Sequence, residues 1–192
     1  MIDYKLLADS IEFYESKGFK RIEAPWTVSE YVDSITKPED RPHYQLKHND
    51  KCLVASGEQS FLYLYLKEYL PLGRYQTVTP CFRYEAYDLF HEKTFMKNEL
   101  IITDDVSKTN LKMLIDSAME FFKLKVPYKE KLKSVKIEDS KDIIQYDIMY
   151  GDIELGSYGI RHTHFLKWIY GTGCAEPRLS KVINYDTDGR AE

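Results

Sequence analysis

One segment of the chain, residues 77–101, most constrains its fold, because it predicts a strand, a polar loop and a second strand. Val78 to Tyr84 is rich in β-branched and aromatic residues, and the residues from Thr94 to Ile102 alternate again in polarity. Side chains two residues apart in a regular strand point to the same face. One face of the hairpin is therefore expected to carry two cations, an aromatic ring and two carboxylates: Arg83, Glu85, Phe95, Lys97 and Glu99.

Such a face is a poor hydrophobic core and a good floor for a ligand. An arginine can hold a phosphate or a carboxylate through two hydrogen bonds. A phenylalanine ring can stack on a base, which stabilises nucleic-acid complexes by roughly 1–3 kcal/mol per base. The pattern favours nucleotide binding. A solvated face on which arginine and glutamate pair across the strands remains the alternative.

Composition limits the classes of function that remain. The chain has 192 residues, is 43% hydrophobic and 30% charged, and carries a net charge of −4, which is typical of a globular domain and weighs against autonomous binding to a nucleic-acid backbone. Its three cysteines form no close pair, so we expect free thiols in a reducing compartment and predict no zinc site. No secretion signal and no membrane-spanning run is present, so we expect a cytoplasmic protein without membrane contact.

The hairpin resembles motif 2 of the class II aminoacyl-tRNA synthetases, in which Phe-Arg-x-Glu is followed by a loop and then by Phe and Glu. The pattern is most similar to that of the seryl enzymes, through Thr79 to Glu85 and Phe95 to Leu100. The motif 2 region covers about residues 77–102.

Two other segments resemble the remaining motifs of this family, in the family's order. A helix predicted over residues 3–17, a strand from Phe19 to Ala24 and Pro25 resemble motif 1, over about residues 3–26. Tyr170 to Ser180 resembles motif 3, Gly-x-Gly-x-x-x-x-Arg, over about residues 168–185.

Two shorter segments also match the family. Ser56-Gly57-Glu58, between a predicted strand and a helix predicted from Gln59 to Tyr69, resembles a Thr-x-Glu loop whose glutamate binds the α-ammonium of the amino acid. Glu154 to Ser157, in the second of two strands predicted within residues 142–161, resembles a Glu-x-x-Ser magnesium site. The alternatives are a helix N-cap at Ser56 and a strand with one outward glutamate.

The resemblance implies an α+β fold, a class II synthetase-like antiparallel sheet flanked by helices. It implies a single catalytic domain over residues 1–192 and a homodimer formed through the motif 1 region. A second amphipathic helix, over residues 108–124, is expected to cover the back of the sheet.

The resemblance also implies roles for individual residues. Arg83 and Arg178 would be catalytic, Arg83 on the amino-acid carboxylate and the α-phosphate, Arg178 on the γ-phosphate. The implied ATP-binding residues are Arg83, Glu85, His91, Phe95, Glu154, Ser157 and Arg178. The implied amino-acid-binding residues are Ser56, Glu58, Arg83, Glu99 and Thr172. Glu154 and Ser157 would hold Mg²⁺ together with ATP.

The implied reaction joins an amino acid to ATP, giving an aminoacyl-adenylate and pyrophosphate. Serine or another small amino acid is suggested, although Ile169 and Tyr170 stand where seryl enzymes have an asparagine. The chain leaves no room for an anticodon-binding domain, and the loop of residues 86–94 is short. Binding of tRNA in the usual way is therefore doubtful, and a carrier protein, another protein or a small molecule is the expected acceptor.

Two other hypotheses remain open. One is a non-catalytic synthetase paralogue that acts as a regulatory or interaction protein. The other is a tRNA synthetase core that needs a partner chain for its tRNA. The joint presence of Arg83, Glu85, Phe95, Glu154 and Arg178 favours catalysis.

Overall fold

The computed structural model describes residues 1–38, 41–42, 44–84, 88–140 and 143–187, and is built on a seven-stranded sheet. Five α-helices, one short 3₁₀ helix (Lys129–Lys131) and nine strands are found in these residues. In chain order the α-helices and strands are α1 (Tyr4–Ser16), β1 (Lys20–Arg21), β2 (Thr27–Ser29), α2 (Glu30–Ser34), β3 (Lys51–Leu53), α3 (Gly57–Leu66), β4 (Arg74–Phe82), β5 (Thr94–Ile102), α4 (Lys108–Lys125), β6 (Leu132–Asp139), β7 (Ile144–Tyr150), β8 (Ile153–His162), β9 (Lys167–Glu176) and α5 (Arg178–Thr187).

The main sheet has the strand order β1-β4-β5-β9-β8-β7-β6. Only the short β1 runs parallel to its neighbour β4, and every other neighbouring pair in this sheet is antiparallel. Strands β2 and β3 form a separate antiparallel pair. The predicted α+β class and the antiparallel β4–β5 hairpin are therefore confirmed.

Several element bounds differ from the sequence prediction. Strand β1 has only Lys20 and Arg21 paired with β4, instead of the predicted run from Phe19 to Ala24, although the Ile22 N–H still donates to the Gln76 carbonyl at 3.0 Å. Strand β4 begins at Arg74, ahead of the predicted start. Helix α3 begins at Gly57 because the Ser56 hydroxyl accepts a hydrogen bond from the Glu58 N–H at 3.2 Å.

The sheet separates two hydrophobic clusters. On the back, α1 and α4 pack on residues such as Leu100 and Ile102, which are fully buried. On the front, α3 and the β2–β3 pair pack on Ile101 and Trp168. Helix α3 covers only part of the front face, so the floor beside it is left to polar side chains.

A buried polar contact on the back fixes which residues of β5 face forward. The Asn98 amide donates hydrogen bonds to the Ser10 hydroxyl and to the Gln76 side-chain oxygen, both at 2.9 Å. Because side chains alternate along a strand, Lys97 and Glu99 are directed to the front.

No helix in the described part of the chain is long and apolar enough to cross a membrane.

The cysteines provide a test of this packing. Cys52, Cys81 and Cys174 are buried as free thiols. Burial raises the pKa of all three, that of Cys81 to about 11, so little reactive thiolate exists at neutral pH. We expect no reaction with Ellman's reagent at pH 8 in native buffer and reaction of all three thiols after denaturation in guanidinium, measured by absorbance. Rapid labelling of a native thiol would contradict the packing.

Candidate active site

A cavity of about 820 Å³ lies on the front face of the sheet beside α3. It is lined by residues of β4, β5, β8 and β9 and by residues that follow α2, including Lys37 and Arg41. A second, more apolar groove of about 960 Å³ lies behind the sheet between α4 and the β6–β7 pair. None of the site residues predicted from the sequence lines that second groove.

The front cavity brings together residues that are far apart in the sequence. Ten predicted site residues line it: Ser56, Glu58, Arg83, His91, Phe95, Glu99, Glu154, Ser157, Thr172 and Arg178. The remaining one, Glu85, lies outside the described residues, as do Ala86 and Tyr87 of the motif 2 loop.

Strand register explains how the floor is assembled. Phe95 lies opposite Cys81, and Glu99 lies opposite Thr77 on one side and Thr172 on the other. A bulge in the β5–β9 pairing, where Gly173 is the extra residue, places Thr172 beside Glu99. The floor is also reached by α3, since a Cβ atom on Gly57 would lie only 2.9 Å from that of Glu99.

Glu99 is a buried carboxylate with a complete set of partners. Only 1% of the residue is exposed, and Lys97 Nζ lies 3.0 Å from Oε1 and 2.9 Å from Oε2. The Ser56 hydroxyl donates to Oε2 at 2.6 Å. A buried charge is tolerated when it is paired and hydrogen-bonded in this way.

Glu58 is a second buried carboxylate, and its partners come from the far end of the chain. Arg161 Nη1 donates to Oε2 and the Trp168 indole N–H donates to Oε1, both at 2.6 Å. Glu58 also lies in the first turn of α3, where the helix dipole favours a negative charge. The Glu58 carboxylate raises the pKa of Arg161, so this guanidinium stays charged.

Tyr170 supports the same cluster from below. The Arg161 guanidinium lies 4.2 Å from the centroid of the Tyr170 ring, close enough for a cation–π interaction. Burial raises the pKa of Tyr170 to about 12, so its hydroxyl remains protonated at neutral pH.

Two further arginines face the cavity and are held by backbone carbonyls. Arg83 Nε donates to the Ala55 carbonyl at 3.0 Å, and its Cζ lies 5.1 Å from the centroid of the Phe95 ring. Arg178 Nη1 donates to the carbonyl of Glu154 at 3.0 Å. These contacts fix guanidinium groups where anionic groups of a ligand can meet them.

His91 lies at the edge of the cavity and is half-exposed. Its Nδ1 is 2.6 Å from the Asp88 carboxylate, which also accepts hydrogen bonds from the backbone N–H groups of Phe90 and His91 at 2.7 Å. These contacts, with that of His91 largest, hold the pKa of Asp88 below its usual range. The loop therefore presents an imidazole with a fixed orientation.

The predicted magnesium residues form an oxygen-bearing group that includes one more side chain. Asp147 on β7 lies opposite Ser157 on β8. Glu154 lies three residues before Ser157 on β8, opposite Met149. Burial, and then the negative charge of Glu154, raise the pKa of Asp147. Two carboxylates and a hydroxyl suit a hard cation such as Mg²⁺. Among the described residues, no three His, Cys, Asp or Glu side chains form a metal site by themselves, so a cation here would also need ligand oxygens.

Arg161, Trp168 and Asp147 were missed by sequence reasoning. Ser157 and Arg161 are four residues apart on one strand, which places them on the same face, so Arg161 could have been found from the alternation of β8. No comparable signal marks Trp168, whose indole N–H meets a carboxylate 110 residues away.

No protein-family model and no curated protein sequence matches the chain. Solved structures do match it. "PylSc, a pyrrolysyl tRNA synthetase" of Desulfitobacterium hafniense aligns with a TM-score of 0.73 and 17% identity over 97% of this chain and 69% of that one. The seryl-tRNA synthetase of Pyrococcus horikoshii, complexed with ATP, aligns with a TM-score of 0.75 and 19% identity over 94% of this chain and 50% of that one.

The fold is that of a class II aminoacyl-tRNA synthetase catalytic core. A second structure of the D. hafniense pyrrolysyl-tRNA synthetase agrees, with a TM-score of 0.71 and 18% identity over 97% of this chain and 69% of that one. This synthetase-like chain spans half the length of the seryl enzyme it matches. At these identities the similarity establishes the fold alone.

The Glu58 cluster can be tested by removing its indole donor, with an exposed aromatic residue as the control. Trp168→Phe removes the indole donor from a carboxylate that is only 4% exposed, so we expect the free energy of unfolding to fall by about 1–3 kcal/mol. The control Tyr69→Phe changes a residue that is 72% exposed and should cost less than about 0.5 kcal/mol. Urea unfolding followed by circular dichroism measures both. Equal effects would mean that the indole hydrogen bond is unimportant.

Proposed function

We propose that the front cavity binds ATP and an amino acid and joins them to form an aminoacyl-adenylate, with release of pyrophosphate. The observation that carries this proposal is that ten residues, which the resemblance implies from separate segments of the sequence, line one cavity of a synthetase-like fold. Arg83 and Arg178, held by backbone carbonyls, provide positive charge for phosphates. Buried carboxylates and hydroxyls provide polar partners for an amino acid.

In this mechanism Arg83 binds the carboxylate of the amino acid and the α-phosphate together. A carboxylate oxygen attacks the α-phosphorus in line, and the bond from that phosphorus to the bridging oxygen breaks, so that the bonding electrons leave with pyrophosphate. Arg178 and His91 bind the other phosphates, and Phe95 and Glu85 bind the adenine. The rate gain comes from positioning and from fixed positive charge, and no side-chain nucleophile takes part.

The amino acid is bound at the end of the cavity near α3. Glu58, Glu99 and Ser56 are the proposed partners of its α-ammonium, and Thr172 lies beside Glu99 to contact a small side chain such as that of serine. Glu154 and Ser157, with Asp147 behind them, would hold Mg²⁺ against the phosphates. The cation would supply additional positive charge for the departing pyrophosphate.

The acceptor of the activated amino acid is a separate part of the proposal. We infer a carrier protein, another protein or a small molecule, rather than a tRNA bound in the usual way. The net charge of −4 supports this choice, because tRNA binding usually depends on a basic surface.

The proposed reaction is tested by ATP–pyrophosphate exchange with each of the twenty amino acids, with Mg²⁺ and without tRNA. We expect exchange with one amino acid or a small group of them, and a rate roughly 10²–10³-fold lower in Arg83→Ala, which removes charge from the reacting groups. Lys133→Gln, on the exposed part of β6, should keep the wild-type rate.

Two results would contradict adenylation. Unchanged exchange in Arg83→Ala, with folding verified by circular dichroism, would remove Arg83 from the site. Absence of both exchange and ATP binding in the wild type would favour a non-catalytic regulatory or interaction protein.

We also propose that the chain forms a homodimer through the motif 1 region. Trp26, at the end of that region, and Tyr31, which follows it, are both 57% exposed and support an interface at this surface. Light scattering coupled to size exclusion should give the mass of two chains, and Trp26→Glu should lower it toward one. Ile137→Glu, at an exposed apolar position on β6, is the control and should leave the mass unchanged. A monomeric wild type would reject the proposal.

A further inference from the structure

Arg161 has hydrogen-bonding capacity that its known contacts do not use. A guanidinium carries five N–H donors, and here one on Nη1 is taken by Glu58. Neither Nε nor Nη2 donates a hydrogen bond to any residue that the structure describes. The side chain is 37% exposed and lines the front cavity, so these donors are accessible to a ligand there.

The position of this guanidinium is fixed before any ligand arrives. Glu58 holds one edge, and Glu58 is itself held by Trp168. Tyr170 supports one face, and Tyr170 can lie over β8 because Gly159, its cross-strand neighbour, has no side chain. A Cβ atom on Gly159 would lie only 2.7 Å from the Tyr170 hydroxyl. A ligand that binds Arg161 therefore loses little free energy to ordering this side chain.

Two carboxylates and two cations balance at this end of the cavity, so an α-ammonium on a carboxylate oxygen can be accompanied by an anionic side-chain group on a guanidinium edge. The two buried carboxylates, Glu58 and Glu99, already have Arg161 and Lys97 as partners. An additional carboxylate would meet the free edge of a guanidinium, whose planar fork matches it through two hydrogen bonds. The neighbouring hydroxyls of Ser157 and Thr172 are polar and uncharged, so they do not oppose a negative group.

We propose that Arg161 forms a carboxylate-binding subsite for the side chain of the substrate, so that the amino acid activated here is acidic, of the aspartate or glutamate type. This inference rests on the proposed adenylation at the same cavity. It replaces serine, which the resemblance suggests, with a substrate chosen by the chemistry of a residue outside the resemblance.

The first test compares acidic amino acids with their neutral isosteres in ATP–pyrophosphate exchange. Aspartate and asparagine have nearly the same shape and differ in charge, and so do glutamate and glutamine. We expect kcat/KM to be roughly 10- to 100-fold higher for an acid than for its amide. Exchange with serine or with an amide in preference to the acids would overturn this subsite and leave adenylation standing. No exchange with any amino acid would reject adenylation itself, and the subsite with it.

The second test changes Arg161. Arg161→Gln should remove the preference for the acid over its amide, mainly through KM, because the amide side chain cannot pair with a carboxylate. Arg161→Lys keeps the charge beside Glu58 and loses the planar fork, so it should retain part of the preference. Lys133→Gln, on exposed β6, is the matched control and should behave as wild type.

Stability is controlled by a charge-balanced variant, because Arg161→Gln alone leaves Glu58 buried without its cation. The double variant Glu58→Gln/Arg161→Gln removes both charges and keeps side chains that can hydrogen-bond to each other and to Trp168. Because Glu58 is also a proposed partner of the α-ammonium, the folded double variant is judged by the ratio of kcat/KM for acid to that for amide and not by its absolute rate, and a ratio near one supports the subsite. If the double variant still prefers acids, another residue binds the side-chain carboxylate and the Arg161 subsite is rejected. Calorimetric titration of aspartate and asparagine gives the same comparison without turnover.

Discussion

Two buried carboxylates dominate the organisation of the front face. An ionised carboxylate removed from water is strongly unfavourable unless a cation and hydrogen-bond donors replace its hydration. Glu99 finds its cation two residues earlier on the same strand, whereas Glu58 needs Arg161 from β8 and Trp168 from β9. The buried Glu58 carboxylate is therefore compensated only when α3, β8 and β9 lie in this arrangement. Such pairs are seldom a source of stability. The buried apolar clusters on the two faces of the sheet are the main source here.

The difference between the apolar back of the sheet and its polar front agrees with the proposed chemistry. The back is filled by aromatic and aliphatic side chains from α1 and α4, and the front keeps polar groups at fixed positions beside open space. Arg83 and Arg178 are anchored through backbone carbonyls, so their orientation does not depend on a ligand. A preset arrangement of this kind is what transition-state stabilisation by fixed charges requires.

Much of the front face could be predicted from the sequence, because the relevant information is local. The alternation within Thr94–Ile102 gives the direction of Phe95, Lys97 and Glu99, and β5 has those bounds in the structure. The helix cap at Ser56 is also a local signal, and only the bounds of α3 differed. The partners of Glu58 could not be predicted in this way, because they depend on which strands lie next to α3. The bulge at Gly173, which aligns Thr172 with Glu99, is likewise a property of strand pairing rather than of β9 alone.

The separation of Glu58 from its partners also affects how the molecule folds. Its hydrogen bonds to Arg161 and Trp168 span 103 and 110 residues. Closing such long loops is slow and entropically costly compared with forming the local β4–β5 hairpin. A chain in which only the first half is ordered would contain the hairpin and Glu58 without the compensating cation. The cavity thus becomes electrically balanced only when β8 and β9 join the sheet, which makes its completion a late event in folding.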